Sequence, residues 1–119
     1  MDIYLKRAYE PAQRADGCRV LVDRLWPRGV SKTDAHLKLW LKEIAPSTEL
    51  RKWFGHSPDR WTEFTRRYRD ELQHNAEAVA QLKALAEHGP VTLVYAARDE
   101  RHNEAVVLKR YLEAVGAKA

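Results

Sequence analysis

Three clusters of charged and hydrogen-bonding residues stand directly after apolar runs in this chain. Lys6 and Arg7 follow "IYL" (3–5). Asp23 and Arg24, then Trp26 and Arg28, follow "RVLV" (19–22). Arg98 and Asp99, then Arg101, His102 and Asn103, follow "VTLVYAA" (91–97). Guanidinium forks grip phosphate or carboxylate with two parallel hydrogen bonds, so Arg7, Arg24, Arg28 and Arg98, with Lys6, are candidate anion ligands. Asp23, Asp99 and His102 are the groups able to move a proton, and are the candidate catalytic residues. Trp26 can stack on a ring or wall a pocket, and Tyr95 carries a hydroxyl to the end of the third run. A purely structural reading stands beside this one: Asp23 pairs with Arg24, Arg28 or Arg98 to satisfy a buried corner, and Trp26 packs with Pro27.

Whether these clusters meet depends on the elements that carry them. The three apolar runs read as strands, and the second follows Asp16-Gly17, a turn signal. The third follows Gly89-Pro90 and is almost continuously apolar, as in a strand covered on both faces. A helix is predicted from Ser31 and Asp34 through Leu37, Trp40, Leu41 and Ile44, stopping before Pro46. Ser47 or Thr48 caps a short helix with Leu50, Trp53 and Phe54 that ends at Gly55. Ser57-Pro58 opens a longer helix whose stripe is Trp61, Phe64, Tyr68 and Leu72, with Glu63–Arg67 and Arg67–Glu71 at pairing distance on its outer face. Val79, Leu82 and Leu85 continue the pattern to Gly89, and a last helix carries Ala105, Leu108, Leu112 and Val115 up to Gly116.

About 65 residues of mostly helix join the second and third strands, a crossover that makes them parallel if they share a sheet. The connection from the first strand is long enough for a crossover too, although Asp16-Gly17 can also close a hairpin. The predicted fold is a small three-layer α/β domain, a short and mostly parallel three-stranded sheet flanked by helices. In a parallel sheet all three clusters share the carboxyl edge, where open α/β folds bind ligands. The last helix begins near Asn103, so its free amides point into the same space and favour an anion. The expected ligand is therefore an anionic small molecule, phosphate- or nucleotide-like.

The bulk composition narrows the class. The 119 residues suit one domain, residues 1–119, with a core that needs no staples. A single cysteine, Cys18, excludes an internal disulfide and a cysteine metal site, and it lies at the start of the second strand, away from the proposed edge. The N-terminus does not read as a signal peptide and no run is long enough to span a membrane, so a soluble cytoplasmic protein is expected. None of the five histidines forms an i, i+4 zinc pair, and no metal or cofactor is expected. His56, in "WFGHSP", reads as a turn-holding residue. No Walker A sequence, dinucleotide glycine fingerprint or nucleophile elbow occurs. The net charge of +4 and the segment "RRYRDE" keep a nucleic-acid-binding or regulatory protein as the alternative, although acidic residues interleave with those arginines. The sequence does not reveal an oligomeric state.

The segments "VLVDRLWPRGVSK", "LKLWLKEIAPSTELRKWFGH" and "GPVTLVYAARDERHNEAVVLKRYL" together resemble the DUF488 family, in particular its short YeaO-like branch. The resemblance runs from Lys6 to about Leu112 and includes rare tryptophans. It implies a parallel arrangement of all three strands and the positions of a site, but no established reaction, the family being largely uncharacterised. Longer relatives carry a "DVR" segment after one strand, which Asp23-Arg24 resembles in part. They also carry a "CHR"-like segment between a strand and a helix, and residues 98–105 occupy its place. Asn103 stands where those relatives have cysteine, which removes cysteine chemistry here.

Overall fold

The computed structural model describes residues 1–117. Four strands, one more than expected, form a single parallel sheet: β1 (Ile3–Arg7), β2 (Cys18–Leu21), β3 (Leu39–Trp40) and β4 (Val91–Tyr95). Their spatial order is β1-β4-β2-β3. Ile3 to Arg7 lie opposite Val91 to Tyr95, so the first strand is parallel and no hairpin forms at Asp16-Gly17. Cys18 to Leu21 flank the other side of β4, opposite Val91 to Val94.

The central strand is buried along its whole length, as its continuous apolar run predicts. Alternation sends its residues to two unequal cores. Leu93 and Tyr95 join Val20, Val22 and the helices α2 (Thr48–Phe54), α3 (Trp61–Gln73), α4 (Ala76–His88) and α5 (Glu104–Ala117) in the main core. Val94 and Leu21 face the other way, under Trp26, Val30, Leu37 and Trp40. There the two indoles meet edge-on with centroids 5.3 Å apart. The short helix α1 (Lys32–Ala35) belongs to this second side, where the Ala35 carbonyl accepts from the Arg19 guanidinium at 3.0 Å.

The fourth strand comes from a stretch whose apolar spacing predicts helix. Ser31 does cap α1, its hydroxyl accepting from the Asp34 amide at 3.0 Å. The helix then stops after one turn, because His36 takes the left-handed conformation (φ 47°). From there the backbone docks on the open side of β2, with Lys38 N–H donating to Arg19 O at 2.8 Å and Leu41 N–H to Leu21 O at 2.9 Å. Unpaired groups on β2 thus outweigh a modest local preference for helix. Elsewhere the helical reading holds. Ser47 accepts from the Leu50 amide at 3.1 Å, and Gly55 ends α2 in the left-handed region. Pro58 begins a single 3₁₀ turn that runs into α3. The Phe54 and Phe64 rings stack at 4.2 Å, and the stripe predicted on α3 is core. Two details differ. Glu71 does not pair with Arg67 but accepts from the amide and hydroxyl of Ser47, at 2.8 and 2.7 Å. Gly116 lies inside α5 rather than ending it.

Topology places the site. After β2 the chain moves outward to β3, whereas after β4 helix α5 packs back against β4 and β1. The two connections part between the carboxyl ends of β2 and β4, which leaves a crevice there. Among the described residues no helix is long and apolar enough to cross a membrane.

Candidate functional site

That crevice is a cleft of about 670 Å³. Apolar walls come from Trp26, Pro27, Pro46, Phe54 and Phe64. Trp26 is fixed by its own loop, its indole N–H donating to the Val30 carbonyl at 2.7 Å. Aromatic walls with a few polar groups are the usual make-up of a small-molecule site.

Asp23 sits where β2 parts from β4. One carboxylate oxygen accepts from the Ala96 N–H at 2.9 Å, which ties the end of β2 to the exit of β4. Its carbonyl accepts from the Trp40 indole at 2.7 Å. No arginine pairs with it among the described residues, so the purely structural alternative, an Asp23–arginine corner, does not form. Its partner is another acid. Glu104, in the first turn of α5, is hydrogen-bonded to the Asp23 side chain. Burial first, and then that hydrogen bond and the Asp23 charge, raise Glu104 well above the ordinary carboxyl range. A helix N-terminus normally favours an ionised carboxylate, and here its pull is the weaker effect. Burial and the neighbouring Asp23 thus both favour the protonated form of Glu104.

Four arginines line the cleft. Arg24 is committed, its Nε and one terminal nitrogen donating to the carbonyls of Pro46 and Ala45, each at 3.2 Å. Arg28, Arg51 and Arg98 are exposed, and no carboxylate pairs with them among the described residues. Asp99, Asn103 and His56 also line it.

The third cluster is organised around Asp99. Its carboxylate accepts from the Arg101 and His102 amides at 2.9 and 3.0 Å, and its other oxygen meets His102 Nδ1 at 2.9 Å. The His102 ring and those amides hold Asp99 below its usual range. His102 in turn lies edge-on to Trp61, centroids 5.1 Å apart, and does not line the cleft. Asn103 is buried and caps α5, its side-chain oxygen accepting from the Val106 amide at 3.1 Å while its NH₂ donates to Asp99 O at 2.9 Å. The buried Tyr95 hydroxyl is turned to Asn103, and burial above all raises its pKa.

The first cluster does not join the cleft. Arg7 lies over the Tyr9 ring and donates to the Ala97 carbonyl at 2.9 Å, bracing the exit of β4. Lys6 reaches back along the sheet to Asp16, at 3.1 Å. Asp16 is also gripped by the buried Arg19 at 2.7 Å. Of the residues singled out by sequence, the cleft thus gathers Asp23, Arg24, Trp26, Arg28, Arg98, Asp99 and Asn103, and leaves out Lys6, Arg7, Tyr95 and His102. It adds Glu104, Arg51 and His56. Glu104 reads in sequence as an ordinary first-turn acid. The available signal was its place next to Asn103, at a helix start aimed at the carboxyl edge. His56 was singled out only as a turn residue, and its left-handed backbone (φ 56°) agrees with that.

Comparison with known proteins agrees with the resemblance noted in the motifs. A family model described as "Inactive DUF488-N3 subclade" matches residues 2–118. The uncharacterized protein YeaO of Escherichia coli is 44% identical over 97% of this chain and 100% of its own length. The uncharacterized proteins Rv3073c of Mycobacterium tuberculosis and Mb3100c of Mycobacterium bovis are each 44% identical over 92% of both chains. No solved structure matches. With the family model spanning nearly every residue and YeaO aligned end to end, the chain belongs to the DUF488 family, as a YeaO-like member.

Proposed function

We propose that this protein binds an anionic small molecule of the phosphate or nucleotide class at the carboxyl edge of its sheet. The observation that carries the reading is the set of three exposed arginines, Arg28, Arg51 and Arg98, around one aromatic-walled cleft with no carboxylate taking them up. Unpaired guanidinium groups that converge on a concave site favour an oxyanion. A volume of about 670 Å³ exceeds what a lone phosphate needs and suits a nucleotide-sized ligand. The "inactive" in the family description favours binding without turnover. So does the chemistry present, since Asp99 and His102 engage each other and no activated nucleophile faces the cleft.

The test is a thermal-shift series with inorganic phosphate and nucleoside monophosphates. A ligand at about 100 times its Kd adds about 2.7 kcal/mol of stability, enough for a clear rise in melting temperature. The rise is expected in wild type and is expected to shrink in Arg98→Ala and Arg51→Ala. If every ligand leaves wild type unmoved, or if the two variants respond like wild type, the reading is wrong. Nothing at α3 favours nucleic acid over this. Arg66 and Arg67 both pair with Glu63, at 2.7 and 2.8 Å, and Arg67 also lies over the Trp53 ring.

A further inference from the structure

Among the described residues the large apolar side chains left exposed are Met1, Tyr4, Tyr9 and Leu25, and two of them, Tyr9 and Leu25, line the cleft. A lone exposed leucine is ordinary. Leu25 is not alone: Trp26 and Pro27 follow it in the chain and line the same cleft, and Arg28, one of the unpaired arginines, comes next. The loop is held on both sides of Leu25. Asp23 accepts from the Ala96 amide, Arg24 grips the Ala45 and Pro46 carbonyls, and the Trp26 indole donates to the Val30 carbonyl. On that fixed loop the Leu25 side chain is left 61% exposed. Tyr9, from the loop after β1, is fixed as well. Its hydroxyl donates to the Arg28 carbonyl at 3.0 Å, and the Arg7 guanidinium lies over its ring at 5.1 Å. Exposed apolar surface in a concave site bordered by charge marks a place that a ligand covers. Inorganic phosphate or a sugar phosphate leaves such surface wet, whereas a flat apolar ring takes it out of water.

We propose that Leu25, with Tyr9, makes the cleft selective for phosphate monoesters that carry a flat apolar ring, as a nucleoside monophosphate does, over inorganic phosphate and sugar phosphates. This rests on the anion-binding reading above and adds the residue that decides specificity. The arginines supply affinity for any phosphate. Leu25 supplies the preference for what the phosphate is attached to.

Two probes that differ by the ring alone test this: adenosine 5′-monophosphate and ribose 5-phosphate. Titration calorimetry on wild type is expected to show about tenfold tighter binding of the nucleotide, the size of burying one or two partly exposed apolar side chains. In Leu25→Ser the gap is expected to shrink to about threefold, and Leu25→Met, which keeps the apolar volume, is expected to restore it. Leu25 is exposed, so these substitutions leave the fold intact. Arg98→Ala is expected to weaken both probes alike and leave the gap unchanged. Equal binding of the two probes by wild type overturns the proposal while leaving the anion site standing. So does a gap that survives whole in Leu25→Ser. A wild type that runs as a dimer in gel filtration, while Leu25→Ser runs as a monomer, gives the exposed leucine to a second copy of the chain and overturns the proposal too. Failure of wild type to bind either probe or inorganic phosphate overturns both readings together.

Discussion

Strand β2 has an aspartate at each end, and the two live in opposite electrostatic worlds. Asp16, just before the strand, is buried and receives Lys6, Arg19 and the Gln13 amide, at 3.1, 2.7 and 3.0 Å. Burial raises its pKa, but these hydrogen bonds more than reverse that and leave it below the ordinary value. Asp23, just after the strand, has cations within the same cleft and pairs with none of them; it faces Glu104 instead. A satisfied carboxylate is a fastener. An acid pair in a cleft beside arginines that no carboxylate takes up is the feature on which the proposed site rests. Charge at a strand end is thus not itself a sign of function; the sign is charge left without a partner.

The sharpest way to break this contrast is to remove each aspartate in turn. Asp16→Ala strands the buried Arg19 and the half-buried Lys6, and breaking a buried pair costs about 3–5 kcal/mol. Asp23→Asn keeps an acceptor for the Ala96 amide and relieves Glu104, so it is expected to be as stable as wild type at neutral pH or more so. Urea unfolding of the two variants measures the difference, and equal losses would erase the distinction between fastener and site.

A smaller effect concerns pH, and the two ends have opposite signs. Asp16 has a folded pKa below its unfolded value near 3.8, so its contribution is present above that pH and is lost as pH falls through the folded value. Glu104 has a folded pKa raised above 4.5, so the folded protein keeps a proton that the unfolded chain releases. Its contribution is full below 4.5 and is lost as pH rises from there through the raised value. The titratable groups that face it are Asp23, from the end of β2, and Tyr68, from α3. Glu104→Gln removes this titration. Melting curves across mildly acid to alkaline pH should show wild type losing stability relative to the variant as pH rises. A constant difference across that range would show that the Glu104 carboxyl is not raised in the folded protein.

The smallest effect sharpens the other half of the contrast. Arg98 is exposed and bonded to nothing described, so Arg98→Ala is expected to change stability by no more than about 0.5 kcal/mol. Arg19→Ala removes a buried guanidinium that holds Asp16 and the Ala35 carbonyl, and should cost several times that. Equal effects in denaturant melts would mean that the arginines of the cleft are structural after all.

Much of this architecture was readable from local pattern. The continuous run at 91–95 announced a strand covered on both faces, and Ser47, Gly55 and the stripe from Trp61 to Leu72 marked helix limits and a core face. The crossover length predicted parallel strands, and therefore an edge where Asp23, Arg24, Arg28, Arg98, Asp99 and Asn103 gather. The stretch from Leu37 to Ile44 was misread because its apolar spacing fits a helix. Its true shape comes from hydrogen bonds offered by β2, which no local window contains.

What sequence determined alone, then, was most of the elements, the parallel direction of β2 and β4 and the edge they share, since these follow from backbone periodicity and the length of the crossover. Tertiary structure decided which charges find partners. Lys6 and Asp16 are ten residues apart and Asp23 and Glu104 eighty-one, yet both pairs are in contact. A side chain is long enough to turn away from the edge its backbone occupies, as Lys6 does. A first-turn glutamate is raised above its ordinary range only when packing buries it and sets another acid against it. Pairing and desolvation depend on distances of a few ångströms between segments remote in sequence, and only the folded chain sets them.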